Sequence, residues 1–162
     1  MSLAIRPEAA ADRAAVHTLL CAAFATPAEA ELVQALSHSG DVMFSLVAEQ
    51  QGSIVGHVLL SRLAGPFGCL ALAPVSVAPE RQRQGIGSRL IEAAIAEAQD
   101  GGWRAIFVLG DPAYYSRFGF AAEAAAGFTS PYAGQHFMAR FLGDDPPAPA
   151  PIAHAEAFAA LG

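Results

Sequence analysis

The stretch Ala73-Pro-Val-Ser-Val-Ala-Pro-Glu-Arg-Gln-Arg-Gln-Gly-Ile-Gly-Ser-Arg-Leu-Ile91 decides how the rest of this chain is read. An apolar strand runs up to Pro79, a short polar loop carries Arg81 and Arg83, and Gly85 and Gly87 open a long amphipathic helix. A helix start leaves about four N–H groups without intrahelical partners and carries roughly half a positive charge. A strand that feeds such a start through a glycine-containing loop makes a cradle of backbone donors suited to a phosphate or pyrophosphate.

The composition narrows whose phosphate it is. The chain has 162 residues, enough for one domain with a real core, and 54% of them are apolar. A net charge of −6 argues against nucleic acid as a partner. There is no lysine, and three of the nine arginines (Arg81, Arg83, Arg89) fall inside the opening stretch. Cys21 and Cys69 sit in apolar surroundings and read as small buried hydrophobes. The start, Met1-Ser-Leu-Ala-Ile-Arg-Pro7, lacks a secretory pattern, and charged residues interrupt the long apolar stretches. A cytoplasmic protein without a membrane partner is expected.

Working outward from the motif, Ile86 to Gln99 predicts a helix with Ile86, Leu90, Ile91, Ala94, Ile95 and Ala98 on one face. Gly101-Gly102 ends it, and Ala105 to Leu109 reads as a short buried strand. A strand–helix–strand unit of this kind needs a right-handed crossover between parallel strands. Upstream, Leu3 to Arg6 is a short strand, Glu8 to Phe24 a helix, and Pro27 to about Ser37 a second helix. Phe44 to Glu49 and Ile54 to Leu63 flank Gln50-Gln51-Gly52 as a hairpin, and Cys69 to Val77 is the strand before the motif. Downstream, Asp111-Pro112 starts a brief helix, and Gln135 to Leu142 is a last strand. The expected fold is α/β, a mostly antiparallel mixed sheet with one parallel pair at its centre, flanked by helices. Residues 1–143 form the domain; 144–162 are a Pro-rich linker and a tail ending in Phe158 and Leu161, which either docks on the core or wanders.

Two familiar phosphate motifs fail on particular residues. A P-loop needs a lysine after its last glycine, and the chain has none. A dinucleotide fingerprint needs a third glycine where Leu90 stands, and a tighter turn from the strand. A plain helix start remains open on these residues alone. The flanks add more: Gln82-Arg-Gln-Gly-Ile-Gly87 fits the pattern Q/R-x-x-G-x-G/A after Val75-Ser-Val-Ala-Pro-Glu80, and Tyr115-Ser-Arg-Phe-Gly-Phe120 fits Y-x-x-x-G-F. In this order and spacing the two resemble the signatures of the GNAT (Gcn5-related) N-acetyltransferases. Leu109 to Phe120 looks like the YhbS-like branch of that superfamily.

The resemblance implies an acetyl-CoA-dependent N-acetyltransferase acting on a small-molecule or protein amine, as a monomer or homodimer. It implies that the backbone from about Arg83 through Gln84, Gly85, Ile86 and Gly87 to Ser88 rings the pyrophosphate, with Gln82 ordering the loop. It also implies that the strand bulges near Pro74 and splays from its parallel neighbour, that Val75 and Val77 backbone groups contact pantetheine, and that an N–H near Val77 polarises the thioester. Ser76 alternates to the opposite face as a structural or substrate-facing residue. Tyr115 is the candidate proton donor to the leaving thiol, and Tyr114, one position off the motif, is expected to pack. With reference pKa values of about 10 and 8.5, that transfer is uphill by roughly 2 kcal/mol. The acceptor pocket would come from the first two helices, Phe24 to Leu36, and the loops near Gly65 and Phe128, with Phe24 and His57 as candidate lining residues. For a general base, Asp111, Glu80, His57, Glu31 and water all stay open, although Asp111 also reads as a helix cap. The remaining histidines lack ligand spacing, so no metal is expected. A sensor that binds acyl-CoA without turnover, and a transferase for longer acyl groups, are the alternatives.

Overall fold

In the computed structural model, which describes residues 2–144 and 146–161, the apolar segments become six strands laid side by side in chain order. They are β1 (Leu3–Pro7), β2 (Val42–Gln50), β3 (Ser53–Leu63), β4 (Cys69–Val77), β5 (Ala105–Leu109) and β6 (Phe137–Phe141). Short turns make β1 to β4 antiparallel neighbours, apart from the helical excursion after β1, and β5–β6 is antiparallel as well. Only β4–β5 is parallel, because α3 (Ile86–Asp100) carries the chain back across the sheet. The other helices are α1 (Arg13–Ala23), α2 (Ala28–Ser39), α4 (Pro112–Tyr115) and α5 (Ala122–Ala125).

Alternation along the strands sends successive side chains to opposite faces. On one face Leu46, Val58, Leu60 and Leu72 meet Ile86, Leu90, Ile91, Ala94, Ile95 and Ala98 of α3, the stripe expected from the sequence. On the other, Val47, Leu59, Ala71 and Phe107 meet Val16, Leu20 and Leu36 of α1 and α2. Gly56 lets α3 come close: a Cβ there would stand 2.8 Å from Leu90 Cδ1 and 3.1 Å from Ile86 Cγ2.

Two expectations shift, and one open alternative closes. The first helix begins at Arg13 after a 3-10 turn at Ala10–Asp12, not at Glu8. The Asp12 carboxylate accepts from Arg6 at 2.7 and 3.0 Å and from the Ala9 N–H at 2.7 Å, which pins the entry and holds its pKa down to about 2. Cys21 is exposed rather than buried. At 100° per residue it follows Leu20 out of the stripe Val16, Leu19, Leu20, and helix position, not local composition, decides. The tail docks: Ala153 bridges Ala64, Pro151 bridges Thr129, and Ile152 and Phe158 are buried in the α1/α2-side core. The Leu161 side chain lies outside the described residues.

Candidate active site

β4 is paired on both sides only over its first half. Cys69, Leu70 and Ala71 align with Ala105, Ile106 and Phe107, and the parallel pairing stops there. Against β3, Val58 faces Val75 and Leu60 faces Leu72, so β4 carries one residue more than its partner across that step. Ala73-Pro74, a cis peptide, lies in this bulge, where a residue without an N–H leaves no broken ladder bond. The extra residue reverses the facing of the strand beyond it. Val75 and Val77 pack toward α3, and Ser76 turns to the other face as the cross-strand partner of His57. The Ala78 N–H donates to Val55 C=O at 2.8 Å, so alternation points the N–H groups of Val75 and Val77 away from β3, into the gap beside β5.

The polar loop continues from that open edge. Pro79–Arg81 makes a 3-10 turn, and Gln82 Nε2 donates to Val77 C=O at 3.2 Å, tying the loop to the strand end. Arg83 and Gly85 both adopt left-handed backbone, with φ of 66° and 82°. Glycine does so freely, whereas arginine incurs strain of roughly 1–2 kcal/mol, tolerated where the loop shape is required. Gly85 is the N-cap of α3 and no side chain caps the helix, so its first N–H groups face the loop undamped. Arg81 Nη1 donates to Gln50 Oε1 at 2.7 Å and Arg89 Nη2 to Leu3 C=O at 3.4 Å, so two of the three local arginines hold the surrounding strands.

Across the gap stands α4. Asp111 caps it by accepting from the Ala113 N–H at 3.0 Å, as its place before Pro112 suggests. Arg140 Nη1 donates to Phe118 C=O at 2.6 Å and fixes the far end. The Tyr115 ring presses against Gly110, whose Cβ would sit 2.5 Å from Tyr115 Cε2. Burial, and to a lesser degree Tyr114, pushes the Tyr115 phenol up to about 12. Tyr114 does more than pack. Its hydroxyl is 3.4 Å from Ser88 Oγ, and a Cβ on Gly87 would stand 3.3 Å from it. A side chain at Gly87 would therefore fill the space between α4 and the start of α3.

An open strand edge with free N–H groups, an uncapped helix start and a phenol across the gap together suit an extended ligand that carries a diphosphate at one end. The profile of the acetyltransferase (GNAT) family matches residues 13–120. This chain belongs to the GNAT family. The acetyltransferase is 33% identical over 124 residues to the Escherichia coli (strain K12) N-acetyltransferase YhbS, covering 74% of each chain. It is 35% identical over 130 residues to YjhQ of the same strain, covering 75% of this chain and 71% of YjhQ. Among solved structures, E. coli YhbS in complex with CoA superposes with a TM-score of 0.92 at 29% identity, over 99% of this chain and 93% of that one. A Brucella melitensis GNAT acetyltransferase in complex with acetyl-CoA gives 0.82 at 33% identity, over 97% and 98%. The protein is an N-acetyltransferase with acetyl-CoA as its co-substrate, and the sheet with its single parallel pair is the GNAT fold.

The opposite face of β4 in this GNAT enzyme carries a polar cluster with no counterpart in the sequence motifs. His57 has no exposed surface, and burial pushes its pKa down to about 4. Its Nε2 is 2.8 Å from Ser45 Oγ, which donates to Glu8 Oε1 at 2.5 Å. Glu8 stands far from His57 in sequence, and Ser45 lies 12 residues away on the other arm of the β2–β3 hairpin. The readable signal is a serine between Phe44 and Leu46 and a histidine between Gly56 and Val58. Phe24, the other candidate lining residue, is half-buried at the C-cap of α1 and packs on the core beneath α1 and α2. Glu31 and Glu80 are exposed. Cys69 is buried, with its thiol pushed up to about 11, and Cys21 lies on the outer face of α1. Among the described residues no cluster of three His, Cys, Asp or Glu side chains is placed to hold a metal ion, and no helix is long and apolar enough to cross a membrane.

Proposed function

We propose that this acetyltransferase moves the acetyl group directly from acetyl-CoA to a primary amine, without an acyl-enzyme. The observation that carries this reading is the gap beside β4: pairing with β5 ends at Ala71, and the N–H groups of Val75 and Val77 point away from β3. In this reading the backbone from Arg83 to Ser88 receives the diphosphate, each charge-assisted bond contributing about 1.5–3 kcal/mol. Gln82 braces the loop through Val77. The N–H groups of Val75 and Val77 pair with pantetheine like an added strand, and a donor near Val77 polarises the thioester, a role whose loss costs roughly 10²–10³ in rate. Neither cysteine supports an acyl-enzyme: Cys69 is buried with a raised pKa, and Cys21 lies outside the gap. The catalytic unit is residues 1–143, residues 144–162 are an appended segment, and a reducing cytoplasm suits both thiols.

With its pKa near 12, the Tyr115 phenol stays protonated across the working range. Full transfer to a free thiolate of pKa about 8.5 would be uphill by roughly 5 kcal/mol. Tyr115 therefore acts by donating a hydrogen bond to the sulfur as charge develops there, with proton transfer completed as the C–S bond breaks. Acetyl-CoA binding is read by calorimetry, and turnover by thiol release with ethanolamine, spermidine, tyramine and peptides bearing a free α-amine or lysine. Tyr115→Phe is expected to lower kcat by about 100-fold with acetyl-CoA affinity unchanged. Full activity of that variant at neutral pH, with chemistry limiting, removes Tyr115 from the mechanism.

A further inference from the structure

The hydrogen-bond pattern around His57 fixes its tautomer. A carboxylate only accepts, so the Ser45 hydroxyl donates its one proton to Glu8 Oε1 at 2.5 Å. Ser45 Oγ then has only acceptor capacity left for His57, and the 2.8 Å contact is a donation from His57 Nε2–H. The lone pair is left on Nδ1, which is buried and has no partner. An orphaned acceptor of this kind is unfavourable to bury, so the position suits a donor. A second orphan stands beside it on the neighbouring strand: Ser76, directly across from His57 in register, is 4% exposed with its Oγ unpartnered. Ser76 lies on the half of β4 that borders the open gap. Glu8, at the far end of the chain, lines a groove of about 690 Å³ between α1 and α2 that opens to solvent.

We infer that Glu8, Ser45 and His57 form a proton exit from the acceptor side of β4, entered at His57 Nδ1 through a water held against Ser76. The inference rests on the amine-acetylating reading above. An acceptor that arrives as an ammonium loses two protons as the N–C bond forms; the departing thiolate takes one, and the other must leave the site. Along this chain the water takes that proton from the ammonium and passes one to Nδ1. Nε2 gives its proton to Ser45 Oγ, and Ser45 gives its own to Glu8. The groove then clears it to solvent. The starting tautomer is restored from solvent once products have left and the cleft is open. His57 and Ser45 are positioning and relay groups; neither touches the thioester. The charged and titratable groups that share the groove with Glu8 are Arg13 and His17 of α1 and Glu31 and His38 of α2.

A structural role and a relay separate by their pH dependence. Without the exit, only acceptor already neutral in solution reacts. Glu8→Gln, Ser45→Ala and His57→Gln should each lose roughly 100-fold in kcat/KM for the amine at pH 6.5 and recover to within about threefold at pH 9.5. Ser45→Thr keeps the hydroxyl and should keep the activity. A loss equal at both pH values, or full activity of all three variants at pH 6.5, overturns the relay. Calorimetry on the same variants should give wild-type acetyl-CoA affinity. If the wild type binds acetyl-CoA but turns over none of the panel amines, the primary-amine reading is what fails. The relay is then decided by ¹⁵N NMR of the acetyl-CoA-bound protein: a bare Nδ1 and protonated Nε2 on His57 support it, and an Nδ1–H tautomer overturns it.

Discussion

The two faces of the sheet meet at β4 and are built in opposite ways. Under α3 the contacts are tight and apolar, and they depend on missing side chains, Gly56 beneath the helix and Gly87 at its start. Under α1 and α2 the same strand region holds buried polar atoms, His57 and Ser76, with Glu8 and Ser45 supplied from elsewhere. The first arrangement presents backbone, which is alike in every sequence and needs only room. The second presents side chains whose value lies in their chemical identity and mutual placement. A ligand common to a whole family suits the first, and a proton or a particular acceptor suits the second.

The contrast can be broken from either side. Gly87→Trp should act most strongly, lowering acetyl-CoA affinity by more than about 1,000-fold, or ~4 kcal/mol, while circular dichroism stays native. Retained binding in calorimetry would mean that the ligand does not use the space beside Tyr114. Next in size is the pH dependence of stability on the polar face. His57 takes up a proton near 6.5 when unfolded and near 4 when folded. Between those values the unfolded chain holds more protons, so stability falls as pH drops from 6.5 to 4, by about 3 kcal/mol, and this contribution changes no further below 4. Urea titrations at pH 7, 5 and 4 should show that loss, with a shallower profile for His57→Gln; identical profiles would mean that His57 protonates as readily folded as unfolded. Smallest is Gly56→Ala, whose methyl would press on Leu90 and Ile86. We expect a loss of about 1–3 kcal/mol from overpacking, read as a lower urea midpoint with an unchanged slope. A neutral outcome would show that α3 can lift without cost and that its tight seat is dispensable.

The sequence was most legible where geometry is local. The α3 stripe, the glycine start and the Asp111 cap each depend on neighbours within a few residues, and all three appear in the structure. Pro74 marked the bulge because proline cannot serve a ladder paired on both sides. Cys21 was misread because composition around a residue does not say which way a helix turns it. Tyr114 packs against the α3-side core as its place beside the Y-x-x-x-G-F pattern suggests, but the pattern does not reveal that the path of α4 also carries its hydroxyl to Ser88. The chain from Glu8 to His57 was unreadable for a deeper reason. Its members sit just after β1, in β2 and in β3, and only strand register and the Glu8 N–H bond to Ser45 C=O bring them together.

The parallel pairing of β4 with β5 extends over Cys69, Leu70 and Ala71 and then ends. That seam joins a four-stranded piece, β1 to β4, to a two-stranded piece, β5 and β6. An extended ligand lying along Val75 to Val77 would lengthen the seam, so folding and ligand binding are thermodynamically linked. At a free ligand concentration of 100 times Kd the linkage adds about 2.7 kcal/mol to the folded state. Cellular acetyl-CoA would then act on this protein as a folding ligand as well as a substrate, and a starved cell would hold it in a less durable form.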